Sequence, residues 1–252
     1  MNAHILKSTL ALASVLALPC VLSAEMATIY SNADSYIRSD TTTTNAGGDF
    51  RLLIGETASA TANDLRIVLG FDLSSLPVNA TINSVSLRLR IQENDTNVAN
   101  SDTTLTLNLH ALTESFTEGS VTWTNASTGT AWTTPGGTNS GTLLSSAAVP
   151  TKGTVPATYT WGTSTAFVNV VQAAYGSGSM VGFLLKDSDE SGTLRELIRF
   201  ISKDETGSSL QIYRPQLVVD YTLSTIPEPS TAAALIGAGG LLVAFGVRRR
   251  MR

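Results

Sequence analysis

Apolar and polar residues alternate with a period of two along much of this chain, and this pattern constrains its fold more than any other feature. In the segment VSLRLRI, at residues 85–91, every second residue is apolar and the residues between are serine or arginine. Successive side chains of a β-strand point to opposite faces, so this segment predicts a strand with one face in a core and one in water. Similar apolar segments occur at residues 51–55, 65–71, 105–111, 180–185, 198–201 and 216–221.

The predicted strands are short, and turns rich in glycine, asparagine, aspartate and serine separate them. Many short strands with such turns are typical of antiparallel sandwiches and jelly rolls. We therefore expect an all-β fold, an antiparallel jelly-roll β-sandwich. The polar stretch at residues 124–158 is the hardest to interpret, and within it we predict only a short strand near residues 142–145.

One segment has helical rather than strand periodicity. Residues 165–175 place a set of apolar side chains on one helix face, namely Phe167, Val170, Val171 and Ala174. The segment ends at Gly176, and glycine is the usual residue just past a helix end. We therefore predict one short helix here, lying across one end of the sandwich.

The first 24 residues have the layout of a secretory signal peptide. Lys7 precedes an apolar stretch at residues 10–22, which ends in Ser23 and Ala24. We expect cleavage after one of these two residues. The only cysteine, Cys20, would leave with the signal peptide. The exported chain would then have no disulfide, no cysteine-based metal site and no thiol nucleophile.

The last 27 residues combine three features. In chain order these are the motif Pro227, Glu228 and Pro229, an uncharged apolar run at residues 231–247, and a basic end with Arg248, Arg249, Arg250 and Arg252. A helix of about 17 residues is about 26 Å long, just enough to cross the hydrocarbon core of a membrane. Arginines at its far end favour a cytoplasmic location for that end. We therefore expect a C-terminal transmembrane helix.

This C-terminal arrangement resembles the PEP-CTERM sorting signal of Gram-negative bacteria that make exopolysaccharide. In that family an exosortase, a membrane protease-transpeptidase, reads the Pro-Glu-Pro motif, removes the tail and passes the protein to the cell surface. The resemblance implies export through the inner membrane, anchoring there before processing, and final location at the cell surface or in the extracellular matrix. The alternative is an ordinary single-span C-terminal anchor.

Between the two terminal segments, 1–24 and 226–252, lie residues 25–225, enough for one domain with a sizeable core. Five of the sixteen lysines and arginines and one of the twenty acidic residues fall in the terminal segments. Eleven positive and nineteen negative side chains remain, so the domain carries a net charge of −8. This acidic balance, without a basic cluster, argues against nucleic acid as a partner.

Several motifs of this domain together resemble a known family. They are ADSYIR at residues 33–38, GFDLSSLP at 70–77, SVSLRL at 84–89, FTEGSVTW at 116–123 and RPQLVVDY at 214–221. In this order, and over nearly the whole domain, they are similar to the DNRLRE domain, also classed as carbohydrate-binding module family 96. The resemblance implies a β-sandwich of jelly-roll type and noncatalytic binding of an acidic extracellular polysaccharide such as alginate.

The sequence marks no catalytic site. His110 is the only histidine outside the signal peptide, and it alternates with leucines that predict the opposite, core-facing side of a strand. Without a second histidine or a cysteine, a Ser-His or Cys-His nucleophilic pair has no support. A glycosidase needs two carboxylates across a cleft, and no pair stands out. The alternatives to a binding module are a purely structural biofilm-matrix protein and a polysaccharide-degrading enzyme.

Two pairs of aspartates are candidates for a structural calcium ion, and we expect no other cofactor. Asp187 and Asp189 belong to DSDESG at residues 187–192, where clustered oxygens and a glycine are typical of a calcium loop. The alternative is a solvated acidic turn, because an isoleucine stands where such a loop needs a glutamate. Asp34 and Asp220 flank the first and last predicted strands, which often pair in jelly rolls and would then bring both carboxylates to one seam.

Arginines are candidate contacts to an acidic sugar, because a guanidinium group matches a carboxylate with two parallel hydrogen bonds. Arg88 and Arg90 share one strand face and lie about 7 Å apart, close to a sugar repeat. Three further arginines would join them if their strands were neighbours, namely Arg38, Arg51 and Arg66. The alternative is that these arginines pair with nearby acids on a solvated face.

Tryptophan rings are the second candidate contact, because large apolar rings with a polar edge pack against the faces of sugars. Trp132 lies in the polar stretch 124–158, so we expect it to be the exposed ring. Trp123 and Trp161 fall in segments that look like strands, and we expect both in the core.

The sorting hypothesis predicts that Glu228→Ala leaves the protein unprocessed in the inner membrane of its native host, because the exosortase would no longer read the motif. Membrane fractionation followed by immunoblotting would detect the uncut tail. A matched change inside the apolar run, Ala234→Val, should leave tail removal unaffected. Normal tail removal in Glu228→Ala would leave an ordinary membrane anchor as the better interpretation.

Overall fold

The computed structural model describes residues 23–57, 63–93, 103–151, 157–178, 180–191 and 196–223. In chain order, the strands within these residues are β1 (Ala24–Tyr30), β2 (Ala33–Arg38), β3 (Arg51–Glu56), β4 (Asp64–Phe71), β5 (Ala80–Glu93), β6 (Thr104–Leu112), β7 (Asn125–Ser127), β8 (Thr130–Ala131), β9 (Asn139–Pro150), β10 (Thr158–Trp161), β11 (Val181–Asp187), β12 (Glu196–Ile201) and β13 (Gln216–Leu223). One α-helix, α1, spans Thr165–Ser177, and a 3₁₀ turn, Gln211–Tyr213, precedes β13. From Ala24 onward the described residues belong to one compact unit.

Eleven of these strands form one continuous antiparallel sheet that curls on itself. Its main path runs β1-β13-β5-β12-β3-β4-β11-β6-β9, with β10 beside β5 and β2 beside β4. The two remaining described strands, β7 and β8, form a small hairpin. The all-β, antiparallel prediction is therefore confirmed for the described residues.

The long strand β5 connects two layers of this sheet. Its first part, residues 80–88, pairs with β13, and its last part, from Ile91, pairs with β12. We call β1, β13, β5 and β10 the first layer, and the strands from β12 to β9, together with β2, the second layer. β1 pairs along its whole length with β13, so the first and last described strands are neighbours as expected.

The two layers share one core. Side chains of β5, β13 and β10 from the first layer pack with those of β3, β4, β6, β11 and β12 from the second. The side chain of Trp161 on β10 contacts the second layer. Its Nε1–H donates to the Leu107 carbonyl at 2.8 Å, and its ring makes a T-shaped contact with Phe200. This packing is consistent with a β-sandwich, and it confirms Trp161 as a core residue.

The predicted alternation along β5 is confirmed. Its four apolar residues between 85 and 91 are at most 1% exposed, whereas Arg88 is exposed on the other face. On the first layer this outer face remains open to solvent around Arg88.

The outer face of the second layer is covered instead. The segment between β6 and β9 folds back over it and builds a second cluster of buried side chains, formed by Ile37, Val68, Val121, Ala126, Trp132 and Leu184. As a result β4 and β11 bury both faces in their middle, which explains their uninterrupted apolar runs. The predicted strand near residues 142–145 is part of a longer one, β9.

The helix α1 covers the core as its apolar face predicts. Ser164 caps its start by accepting from the Phe167 backbone N–H at 3.1 Å, and Phe167 and Val171 are buried. The predicted end at Gly176 is wrong by two residues. Gly178 is the cap, because its left-handed φ of 65° turns the chain and its N–H bonds to Ala174 and Tyr175 carbonyls.

No helix among the described residues is long and apolar enough to cross a membrane. The predicted transmembrane run, 231–247, lies outside the described residues, as do residues 1–22 of the predicted signal peptide. Both remain predictions. β1 begins at Ala24, next to the expected cleavage position.

The alternation along β5 predicts that two neighbouring substitutions affect the free energy of unfolding very differently. Leu89→Ala should lower the free energy of unfolding by about 2–5 kcal/mol, because it leaves a cavity in the shared core. Arg88→Ala, at a solvent-facing position, should change it by less than about 0.5 kcal/mol. Urea unfolding of residues 24–224 followed by circular dichroism measures both. Equal losses at the two positions would contradict the assignment of faces.

Candidate functional site

The open face of the first layer holds a shallow groove of about 210 Å³. Arg88 and Arg90 enter it from β5, together with Thr158 of β10 and Gln216 of β13. The 3₁₀ turn and the residue that follows it complete the groove with Ile212, Tyr213 and Arg214. We call this the arginine groove, and it confirms that Arg88 and Arg90 share one face.

Two guanidinium groups of the arginine groove, those of Arg90 and Arg214, are held in place by contacts that do not neutralise their charge. The Cζ atom of Arg90 lies 3.6 Å from the centroid of the Tyr213 ring, a cation–π contact that orients the guanidinium plane. Arg214 donates through Nη2 to the Glu205 carbonyl at 2.9 Å. The Nε atoms of Arg90 and Arg214 are buried and have no hydrogen-bond partner among the described residues.

The arginines of the groove differ from the other candidate arginines in their charge pairing. Arg88, Arg90 and Arg214 have no described carboxylate within ion-pairing distance, and no Asp or Glu of the described chain lines their groove. The remaining candidates are paired, as Arg38 is with Asp40, Arg51 with Asp49 and Arg66 with Glu190. For these three, the alternative of pairing with nearby acids is correct.

Arg66 shows what a structural arginine looks like in this fold. It binds both carboxylate oxygens of Glu190 at 2.7 and 2.8 Å and donates to the Gly136 carbonyl. Its guanidinium group also stacks 4.6 Å from the centroid of the Trp123 ring. It lies on β4 in the second layer, so it cannot join the arginine groove.

The expectation that Trp132 is an exposed ring is wrong. Its side chain is only 3% exposed, and its Nε1–H donates to the Thr122 carbonyl at 3.0 Å. The physical reason is the second core, which recruits apolar side chains from the polar stretch that covers β4 and β11. Trp123 packs partly buried beside the same cluster, so it also has a structural role.

Asp187 and Asp189 lie at the end of β11, beside a cavity of about 500 Å³. Asp187 is buried, which raises the pKa of its carboxyl group, and it accepts from the Asp189 backbone N–H at 3.3 Å. Asp189 itself accepts from the backbone and hydroxyl of Ser191, as an Asx turn does. Gly192, the last residue of the motif, lies outside the described residues, and calcium binding here remains a prediction.

Asp34 and Asp220 are not brought together by the strand pairing. Asp34 lies on β2 in the second layer, where its two oxygens accept from the Ser202 hydroxyl and the Lys203 backbone N–H, each at 2.8 Å. Asp220 lies on β13 in the first layer and accepts from Asn83 at 3.0 Å. The first and last strands do form a seam, but Asp34 is not in it.

Asp34, which is buried, instead belongs to an acidic cluster with the partly exposed Glu118 and Asp204, and carboxylate oxygens of the three residues lie within 4.8 Å of one another. Burial raises the pKa of Asp34 to about 7. The ammonium group of Lys203 lies 3.0 Å from both Glu118 and Asp204 and supplies positive charge. Glu118 also accepts from the Asp34 backbone N–H at 2.8 Å, so this acid of the FTEGSVTW motif joins distant segments.

His110 has the position that the sequence predicted, on the face of β6 opposite the core leucines. Its Nδ1 lies 3.0 Å from the Thr142 carbonyl oxygen, and it pairs across the sheet with Leu184 of the covered outer face. Burial lowers the pKa of its ring. The imidazole is therefore enclosed by the protein and is not part of the arginine groove.

Tyr213 and Arg214 are the groove residues that sequence reasoning missed. Arg214 opens the RPQLVVDY motif, but the motif by itself indicates only a family resemblance and not a role for Arg214 in binding. Recognising it required the register in which Gln216 lies opposite Arg88, and alternation within one strand does not reveal its neighbours.

Two family comparisons agree with this geometry. The family model described as carbohydrate-binding module family 96 matches residues 25–221, and the model described as the PEP-CTERM protein-sorting motif matches residues 225–250. No curated protein matches the sequence. The first family suggests carbohydrate binding, and the sorting motif implies export followed by exosortase processing. Because the first match covers most of its length, the chain belongs to carbohydrate-binding module family 96.

Proposed function

We propose that this exported protein binds an acidic extracellular polysaccharide, without catalysis, through the arginine groove. The observation that carries the proposal is the convergence of Arg88, Arg90 and Arg214 without a described carboxylate partner. The binding domain would be a sandwich of jelly-roll type. The resulting protein would hold matrix polysaccharide at the cell surface.

The groove suits carboxylates on a polymer. Arg90 and Arg214 are partly buried and have no described carboxylate partner, so their guanidinium groups have lost some hydration without gaining a counter-charge. An anion that enters the groove supplies both the charge and further hydrogen bonds. Arg88 and Arg90, about 7 Å apart on one face, can both reach carboxylates of one polymer segment. Because the domain as a whole is negative, this local cationic patch must outweigh the repulsion of the overall field.

A noncatalytic role is supported by the composition of the groove. Glycoside hydrolysis requires two carboxyl groups on either side of the scissile bond, and the described lining residues include no Asp or Glu. A purely structural matrix protein would not require three arginines in one groove without a described carboxylate partner. Both alternatives therefore explain less of the site than polysaccharide binding does.

The sorting motif at residues 225–250 supports the location that we propose. We propose export through the inner membrane, temporary anchoring there, recognition of Pro227, Glu228 and Pro229 by an exosortase, and release of the basic end. The domain would then lie at the cell surface or in the extracellular matrix of a Gram-negative bacterium.

Polyuronate binding should depend on Arg88 and Arg90. The double variant Arg88→Ala, Arg90→Ala should weaken binding to a polymannuronate or polygalacturonate at least about tenfold, because each charged hydrogen bond contributes about 1.5–3 kcal/mol. Isothermal titration calorimetry on residues 24–224 measures the loss. Wild-type affinity should also fall from low to high salt, because screening shortens the reach of these charges.

The matched control is Arg38→Ala, Arg51→Ala, which removes the same charge from arginines that are already paired on the second layer. This variant should bind like the wild type. If both double variants lost the same binding affinity, net charge rather than the arginine groove would explain the loss. Equal binding of neutral glucans, with no response to salt, would overturn the assignment of an acidic ligand.

A further inference from the structure

The arginine groove continues across the strands towards an exposed aromatic ring. Tyr30, the last residue of β1, lies opposite Gln216 of β13, which lies opposite Arg88 of β5, which lies opposite Thr160 of β10. Residues directly opposite each other in an antiparallel pair have their side chains on the same face. We call these four residues the Tyr30 row.

The Tyr30 ring is unusually free for an aromatic side chain on a sheet. It is 46% exposed, and its hydroxyl has no hydrogen-bond partner among the described residues. Among the described strands β1 pairs only with β13, so the ring lies at the edge of the first layer. Two strand spacings, about 10 Å, separate its backbone from that of Arg88, and this distance is longer than one sugar unit.

The charges on this face decide in which direction an anionic chain can lie. Along β13, Gln216 is followed on the same face by Val218 and then by Asp220, whose carboxylate would repel a polyuronate. Across the strands, the Tyr30 row contains no acidic residue and combines a guanidinium, an amide, a hydroxyl and a ring. The favourable path is therefore perpendicular to the strands.

We infer that the first layer binds a polymer segment that crosses β10, β5, β13 and β1, with the Tyr30 ring stacked on a sugar beyond the unit held by the arginines. This inference rests on the proposed function and adds the direction of the chain and an aromatic subsite. The apolar plate of a tyrosine suits a pyranose face, and its polar edge tolerates water. The site would then recognise internal stretches of a chain and bind short fragments weakly.

A series of oligouronates of increasing length, titrated into residues 24–224 by calorimetry, tests the inference. Wild-type affinity should rise with length until the oligomer reaches Tyr30. Tyr30→Ala should remove that rise, a loss of about tenfold for the longest oligomers, and leave the shortest unaffected. Tyr30→Phe keeps the ring and should retain the rise in affinity with oligomer length. The control Phe50→Ala removes a similarly exposed ring from the second layer and should bind like the wild type.

Two further variants test the direction of the chain without removing the ring. Gln216→Glu keeps the size of the side chain but places a negative charge in the Tyr30 row, so it should weaken binding of long oligomers. Asp220→Asn removes the charge along β13 and should change little. Stronger binding by Asp220→Asn, with Tyr30→Ala unchanged at every length, would overturn the inference but not the proposed function. Failure of the wild type to bind any oligouronate would overturn both.

Discussion

The pleat of β5 is the constraint that links the interior of this protein to its candidate binding surface. Each residue of the strand is committed to one face, so burying Leu87 and Leu89 forces Arg88 and Arg90 to the outside. The same strand pairs with β13 in the first layer and with β12 in the second. A shift of register by one residue would bury the arginines and expose the core, so packing fixes the position of the groove.

The outer face of the second layer is covered by other parts of the chain, whereas the outer face of the first layer is open around Arg88. On the second layer, a long segment covers the outer face and takes Trp132 into a second core, while paired arginines such as Arg66 join the cover to the sheet. On the first layer no described segment covers the face around Arg88, and only the short turn at Tyr213 rises beside it. The fold thus leaves one flat, polar face where a polymer can lie, and the unpaired guanidinium groups are on that face.

The sequence predicts those features of the fold and of the candidate site that depend on neighbouring residues, and it does not predict those that depend on contacts between distant segments. Alternation within a strand is local, so the strands with alternating apolar residues, the buried side of β5 and the faces of Arg88 and His110 were predictable. Trp132 was misplaced because its burial depends on a segment folding over a distant layer, which composition does not reveal. Tyr213, Arg214 and Tyr30 join Arg88 only through strand register, and Asp34 and Asp220 were assigned to one seam because their layers could not be known.

The pairing of β1 with β13 also determines how this domain would carry force. The described chain leaves the first layer at Leu223, about 23 Å along β13 from Gln216 in the Tyr30 row. A pull between a bound polymer and the C-terminal end would therefore run along the axis of β13. Its hydrogen bonds to β1 and β5 lie across that axis and would share the load in shear instead of opening one after another. In the proposed arrangement, β13 would connect the binding face to the C-terminal end of the domain in an orientation that resists tension.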